Sequence, residues 1–176
     1  MKNVFLRINV TPREIVLIVR PRPRYPAQWY RTGVLLNTVP SVKHGSNSFF
    51  PEVKSNNYLS QIGVYWRKEN AFELIFMGED SCVKEGTVSN VFMCKKGCII
   101  TPPAHGILNG VTRRFVLELA RRNKIRACSE NITRHALYAA DEVFLTNSSS
   151  HVMPVRMIDK RRIGCGKPGR ITKRLM

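Results

Sequence analysis

The stretch VKEGTVSNVFMCKKGCIITPPAHGILNGVT, Val83 to Thr112, decides the fold. Val88, Val91 and Met93 sit among strand formers, Lys95-Lys96-Gly97 supplies a tight turn, and Cys98-Ile99-Ile100 returns as a second strand. Thr101-Pro102-Pro103 ends the hairpin, since neither proline can donate to a strand ladder. Asn109-Gly110-Val111-Thr112 then opens a helix expected to carry Phe115, Val116, Leu119 and Ala120 on one face. A Gly-rich helix entry offers unpaired backbone N–H groups and the positive end of the helix dipole, a seat for an anion such as phosphate. Glu85, an acid between two strand candidates in an acid-poor chain, lies just upstream of that seat.

Outward from this stretch, the expected elements alternate. Val4 to Val10 and Ile15 to Val19 read as strands separated by Thr11-Pro12-Arg13, and Pro21, Pro23 and Pro26 make a stiff, extended linker. Gly33 to Val39 is a further strand. Leu59, Ile62, Tyr65 and Trp66 have helical spacing, which places Lys54 at a helix start. Strands follow at Phe72 to Met77, Ile125 to Cys128, Glu142 to Thr146 and Val152 to Met157, with a short helix over Thr133 to Ala139 that Thr133 caps. Strands interspersed with helices indicate an α/β or α+β fold.

The 176 residues, 43% of them hydrophobic, can bury one good core. No run has the length of a membrane span and the start has no long apolar core of a signal peptide, so the cytoplasm is the expected location. Five cysteines, odd in number and without CxxC spacing, read as reduced thiols rather than a disulfide framework or a metal site. The net charge of +17 admits two readings. Its densest patches, Arg20 to Arg31, Arg121 to Lys124 and Lys160 to Arg174, could neutralise nucleic-acid phosphates. They alternate little with aromatics, and a solvated basic surface is the favoured reading.

Four segments, KSNNYL (Lys54 to Leu59), KEGTVSNVF (Lys84 to Phe92), TPPAHGILNGVTR (Thr101 to Arg113) and ADEVFLTNSSSHVMPV (Ala140 to Val155), occur in an order and spacing that resemble the class IV aminotransferase family, the fold-type IV pyridoxal-phosphate enzymes. GCGKPGRIT, Gly164 to Thr172, resembles the family's closing motif, with Arg170 where proline is usual. The resemblance implies the larger, C-terminal domain of such an enzyme over residues 49–176, preceded by a remnant of the smaller domain and its linker over residues 1–48. It implies a chain that lacks roughly the first third of a full-length member, including an arginine that usually binds the cofactor phosphate, and that is shortened between Thr11 and Ile15, where D-amino-acid members make substrate-carboxylate contacts.

By the same resemblance, Lys54 is the lysine that bonds the cofactor, pyridoxal 5'-phosphate, and shuttles the substrate proton. Glu85 pairs with the ring nitrogen, Gly110, Val111, Thr112, Ser148 and Ser149 seat the phosphate, and Asn147 stands in the second phosphate loop. Tyr58 resembles a tyrosine that bonds the cofactor hydroxyl; its spacing from Lys54 is one residue short, and a core role is equally open. Two reactions follow from the family. One is transfer of an amino group between an amino acid of branched-chain or D type and a 2-oxo acid. The other is pyruvate elimination from 4-amino-4-deoxychorismate, toward which Asn147 leans. An inactive relative and a homodimer are also implied possibilities.

Overall fold

The computed structural model describes residues 4–42, 54, 62–64, 66 and 68–176, with the side chains of 40–42 excepted. In chain order the elements are β1 (Val4–Val10), β2 (Ile15–Pro21), α1 (Ala27–Thr32), β3 (Val34–Val42), β4 (Glu73–Met77), β5 (Val83–Gly86), β6 (Asn90–Lys95) and β7 (Cys98–Thr101). They continue with α2 (Val111–Arg122), β8 (Ala127–Ser129), α3 (Arg134–Tyr138), β9 (Glu142–Asn147), β10 (His151–Ile158), β11 (Arg161–Arg162) and α4 (Arg170–Leu175).

The main sheet closes on itself. β3 pairs in parallel with both β4 and β10, while β4–β5, β5–β6, β6–β9 and β9–β10 are antiparallel, which completes a ring of six strands. β7 and β8 extend the sheet from β6, and β11 extends it from β10. Closure removes the exposed ladder edges that an open sheet of this length would present. The expected division between residues 48 and 49 falls after β3, which the main sheet contains.

Alternation along β6, β9 and β10 sorts two cores. Val91, Met93, Val143, Leu145, Met153 and Val155 pack in one cluster with Leu36, Ile75, Ile132 and Leu137. Phe92, Cys94, Phe144 and Val152 face the other way and meet Val116 and Ala120 of α2 and Leu175 of α4. Most strand and helix expectations hold to within a few residues. Lys96 and Gly97 both take left-handed φ values, 48° and 78°, as a two-residue hairpin turn demands. Thr133 caps α3 by accepting the Ala136 N–H.

Two expectations need correction. Val88 stands 64% exposed in the β5–β6 bend rather than in a strand, and Phe115 is 60% exposed on α2, so the buried face there is Val116 and Ala120. The proline linker ends at Pro26, where α1 begins; a fixed φ suits a helix entry. β2, expected as a strand, pairs with β1 alone among the described residues and leaves Leu17 61% exposed. No further layer covers this hairpin among the described residues.

Candidate active site

Pairing of Glu85 with Asn90, and of Asn90 with Thr146, sets these three residues on one rung across β5, β6 and β9. All three are buried. The Glu85 carboxylate accepts the Leu108 N–H at 3.2 Å through Oε1 and the Asn90 amide at 3.3 Å through Oε2. Asn90 Nδ2 also donates to the Leu108 carbonyl at 2.7 Å, so one amide clamps the acid to the loop that leads into α2.

Gly110 closes that loop, and its identity follows from contact: a Cβ there would collide with Asn90 Oδ1, whose amide is already anchored. Helix α2 begins immediately after, with Arg114 N–H bonding the Gly110 carbonyl. The N–H groups of Val111 and Thr112 precede this first intrahelical bond and so are available to an anion. Arg113, which looks like a surface residue in the sequence, is buried and holds the loop from below. Its guanidinium donates to Asn109 Oδ1, the Pro102 carbonyl and Ser129 Oγ at 2.9–3.1 Å. Burial lowers its pKa from the usual arginine value.

The second turn, Asn147 to Ser150, is fastened to the preceding residue of the same bend. Asn147 Nδ2 donates to Ser89 Oγ at 3.0 Å, and Ser89 Oγ donates to Glu73 Oε2 at 2.7 Å. Glu73 also accepts the Val88 N–H at 2.7 Å, and its approach leaves room only for glycine at position 86. Asn147 Oδ1 accepts from Ser149 N–H, Ser150 N–H and Ser150 Oγ, a side-chain-capped turn. Asn147 is thus the post on which the turn hangs, which accounts for its identity without reference to a reaction type. Alanine there should cost about 2 kcal/mol, since the turn's N–H groups and Ser89 lose a partner. A urea titration that finds less than about a quarter of that loss would contradict this assignment.

Ser89 and Asn90 are adjacent and both buried, so a single bend ties Glu85, the α2 entry and the Asn147 turn into one assembly. Thr87 Oγ1 and Thr146 Oγ1, in that bend and on its rung, are buried without a hydrogen-bond partner among the described residues. Ser148 is exposed and Ser149 half-buried at the tip of the turn. Lys54 is exposed and in no helix or strand; residues 55–61, and with them Tyr58 and the expected helix start, lie outside the described residues. Sequence reasoning missed Glu73, Ser89, Asn90 and Arg113, because polar and charged residues read as solvated until the partners that satisfy them are in place.

The profile of a family described as "Amino-transferase class IV" matches residues 3–158. The branched-chain-amino-acid aminotransferase of Pseudomonas aeruginosa is 33% identical over 146 residues, which cover 81% of this chain and 48% of that protein. The D-alanine aminotransferase of Bacillus licheniformis is 40% identical over 125 residues, 69% of this chain and 44% of its own length. A branched-chain amino acid aminotransferase from T.th., solved with pyridoxamine 5'-phosphate, superposes with a TM-score of 0.86 at 29% identity, over 92% of this chain and 54% of that one. The chain therefore spans about half the length of the relatives it matches. No described helix is long and apolar enough to cross a membrane.

Proposed function

The chain belongs to the class IV aminotransferase family, and from that premise we propose that it binds pyridoxal 5'-phosphate and transfers an amino group between an amino acid and a 2-oxo acid. The observation that carries this reading is the single bend, Ser89-Asn90, to which a buried acid and two N–H-bearing turns are all fastened. The residues fit the cofactor. A dianion suits the α2 entry at Gly110, Val111 and Thr112 together with Ser148 and Ser149, and the missing Cβ at Gly110 lets Asn90 hold the loop that presents those N–H groups. The orphaned hydroxyls of Thr87 and Thr146 add spare polar capacity in the same bend and rung.

When bound, pyridoxal phosphate supplies an aldehyde that bonds amines and a ring that withdraws electrons from the substrate Cα. In this reading Glu85 holds a proton at the ring nitrogen, its own position fixed by Asn90 and the Leu108 N–H. The Lys54 amine would hold the cofactor and would carry the proton taken from the substrate Cα. Val111, Thr112, Ser148 and Ser149 would orient the phosphate, and by the family resemblance Tyr58 would bond the cofactor hydroxyl. Residues 1–48 would be a remnant of a second, smaller domain with its linker, β3 joining that linker to the main sheet, and two copies would assemble as a homodimer.

Incubating the chain with the cofactor, 2-oxoglutarate and either L-leucine or D-alanine should release the matching 2-oxo acid. No product with any amino donor, together with pyruvate release from 4-amino-4-deoxychorismate in the absence of an acceptor, would replace transfer by elimination.

A further inference from the structure

A cavity of about 590 Å³ lies at the head of β3, beside α1. Gly33, Val34 and Leu35 line it, and strand pairing brings a flank to each side of them. On one side the Phe72 N–H donates to the Leu35 carbonyl at 2.7 Å, which holds the 68–72 segment in place. On the other side β10 pairs with β3, and Gly33 packs so closely that a Cβ would lie 2.9 Å from the Arg156 nitrogen. Arg24, Lys68 and Arg156 thus reach one cavity from three separate segments, and no acidic residue lines it among the described residues. Arg24 and Arg156 make no ion pair among the described residues. The remaining wall is aromatic. Tyr25, Trp29 and Phe72 meet tilted or edge to face, with ring centroids 5.3–6.1 Å apart. No residue of α1 is buried, and Trp29 stays 36% exposed. The Arg156 flank is distant from the proposed phosphate seat: His151 pairs with Asn147, and Arg156 lies roughly 16 Å further along β10.

We propose that this cavity is a second ligand site, which binds a nucleoside phosphate with its base on the aromatic wall and its phosphates on Arg24 and Arg156. Guanidinium forks grip phosphate oxygens two at a time and stay charged throughout the working pH range. A base laid on a half-exposed indole gains burial and stacking without needing a matched set of hydrogen bonds, so the wall accepts any base. An apolar ligand here would strip water from the guanidinium groups and offer no acceptor in return. A bare phosphate would leave the aromatic wall uncovered. The volume lies within the range of small-molecule sites. The site is independent of amino transfer, so its occupancy does not require the cofactor.

Fluorescence titration with ADP, on the chain incubated with excess pyridoxal phosphate, tests the assignment. The chain has two tryptophans, and Trp66 does not line the cavity. ADP should therefore quench the emission of Trp66→Phe as it does that of the unaltered chain, and leave Trp29→Phe unquenched. Adenosine and pyrophosphate, titrated separately by calorimetry, should each bind at least about tenfold more weakly than ADP. The double variant Arg24→Gln/Arg156→Gln should weaken ADP at least about tenfold and leave adenosine unchanged, with a thermal melt confirming that it folds. No saturable binding of ADP, pyrophosphate as tight as ADP, or quenching that survives in Trp29→Phe would overturn the proposal. So would loss of the cofactor's visible absorbance band as ADP is added, since ADP would then be taking the cofactor's own phosphate seat. The comparison of ADP with its two halves uses the unaltered chain, so it decides the matter even where a variant fails to fold.

Discussion

Glu85→Gln should lower amino transfer by at least about a hundredfold while the chain stays folded. The substitution conserves shape and keeps an acceptor for the Leu108 N–H, so the bond at 3.2 Å survives in kind. What it removes is the negative charge in a buried rung, where a fixed charge acts with little screening and such preorganised groups are worth roughly 3–4 kcal/mol of barrier. A neutral amide cannot hold a proton at the ring nitrogen as a carboxylate does. Steady-state rates with 2-oxoglutarate, beside a thermal melt, check both halves. A Glu85→Gln variant as fast as the original would remove Glu85 from the chemistry. A collapse of the melt with the rate would make it a structural acid, the role Glu73 already has through Val88 and Ser89.

The largest stability loss is expected from Phe144→Ala. Phe92 and Phe144 face each other across β6 and β9, stacked at 4.9 Å with 7° between ring planes, and neither reaches solvent. Truncating a phenyl ring in such a site costs about 3–5 kcal/mol through lost transfer energy and the cavity left behind. For a chain of this size, that shifts the melting temperature down by roughly 10 °C. The effect bears on function as well as folding, because β6 follows Ser89 and begins at Asn90, and β9 ends at Asn147. Loosening their pairing loosens both turns. A loss below about 1 kcal/mol in calorimetry would mean that this stack is not the clamp between the two strands.

Elements set by local chemistry were legible in the sequence. The Lys96-Gly97 turn, the Thr133 cap and the α2 entry at Gly110 each depend on a few adjacent residues whose backbone preferences agree. Glu85 was singled out for a different reason: the four motifs resemble a family, and the family assigns the acid. Ring closure was not legible, since it rests on β3 and β10 pairing between residues as distant as Val34 and Val155. Burial of Asn90 and Arg113 was equally hidden, because polar side chains read as solvated until the loop that satisfies them is in place. The exposure of Phe115 and of the β1–β2 hairpin errs in the opposite sense: apolar periodicity reports a capacity to be covered, and among the described residues nothing covers them.

The central claim is that Lys54 shares one pocket with Glu85 and the two anion-seating turns. Borohydride reduction of the cofactor-loaded chain, followed by peptide mass mapping, tests it most directly, because reduction fixes the cofactor to the amine that bears it. The account predicts a phosphopyridoxyl group on the peptide containing Lys54, and none on that peptide's counterpart in Lys54→Ala. A cofactor fixed to a different lysine, or spread over many, would contradict it.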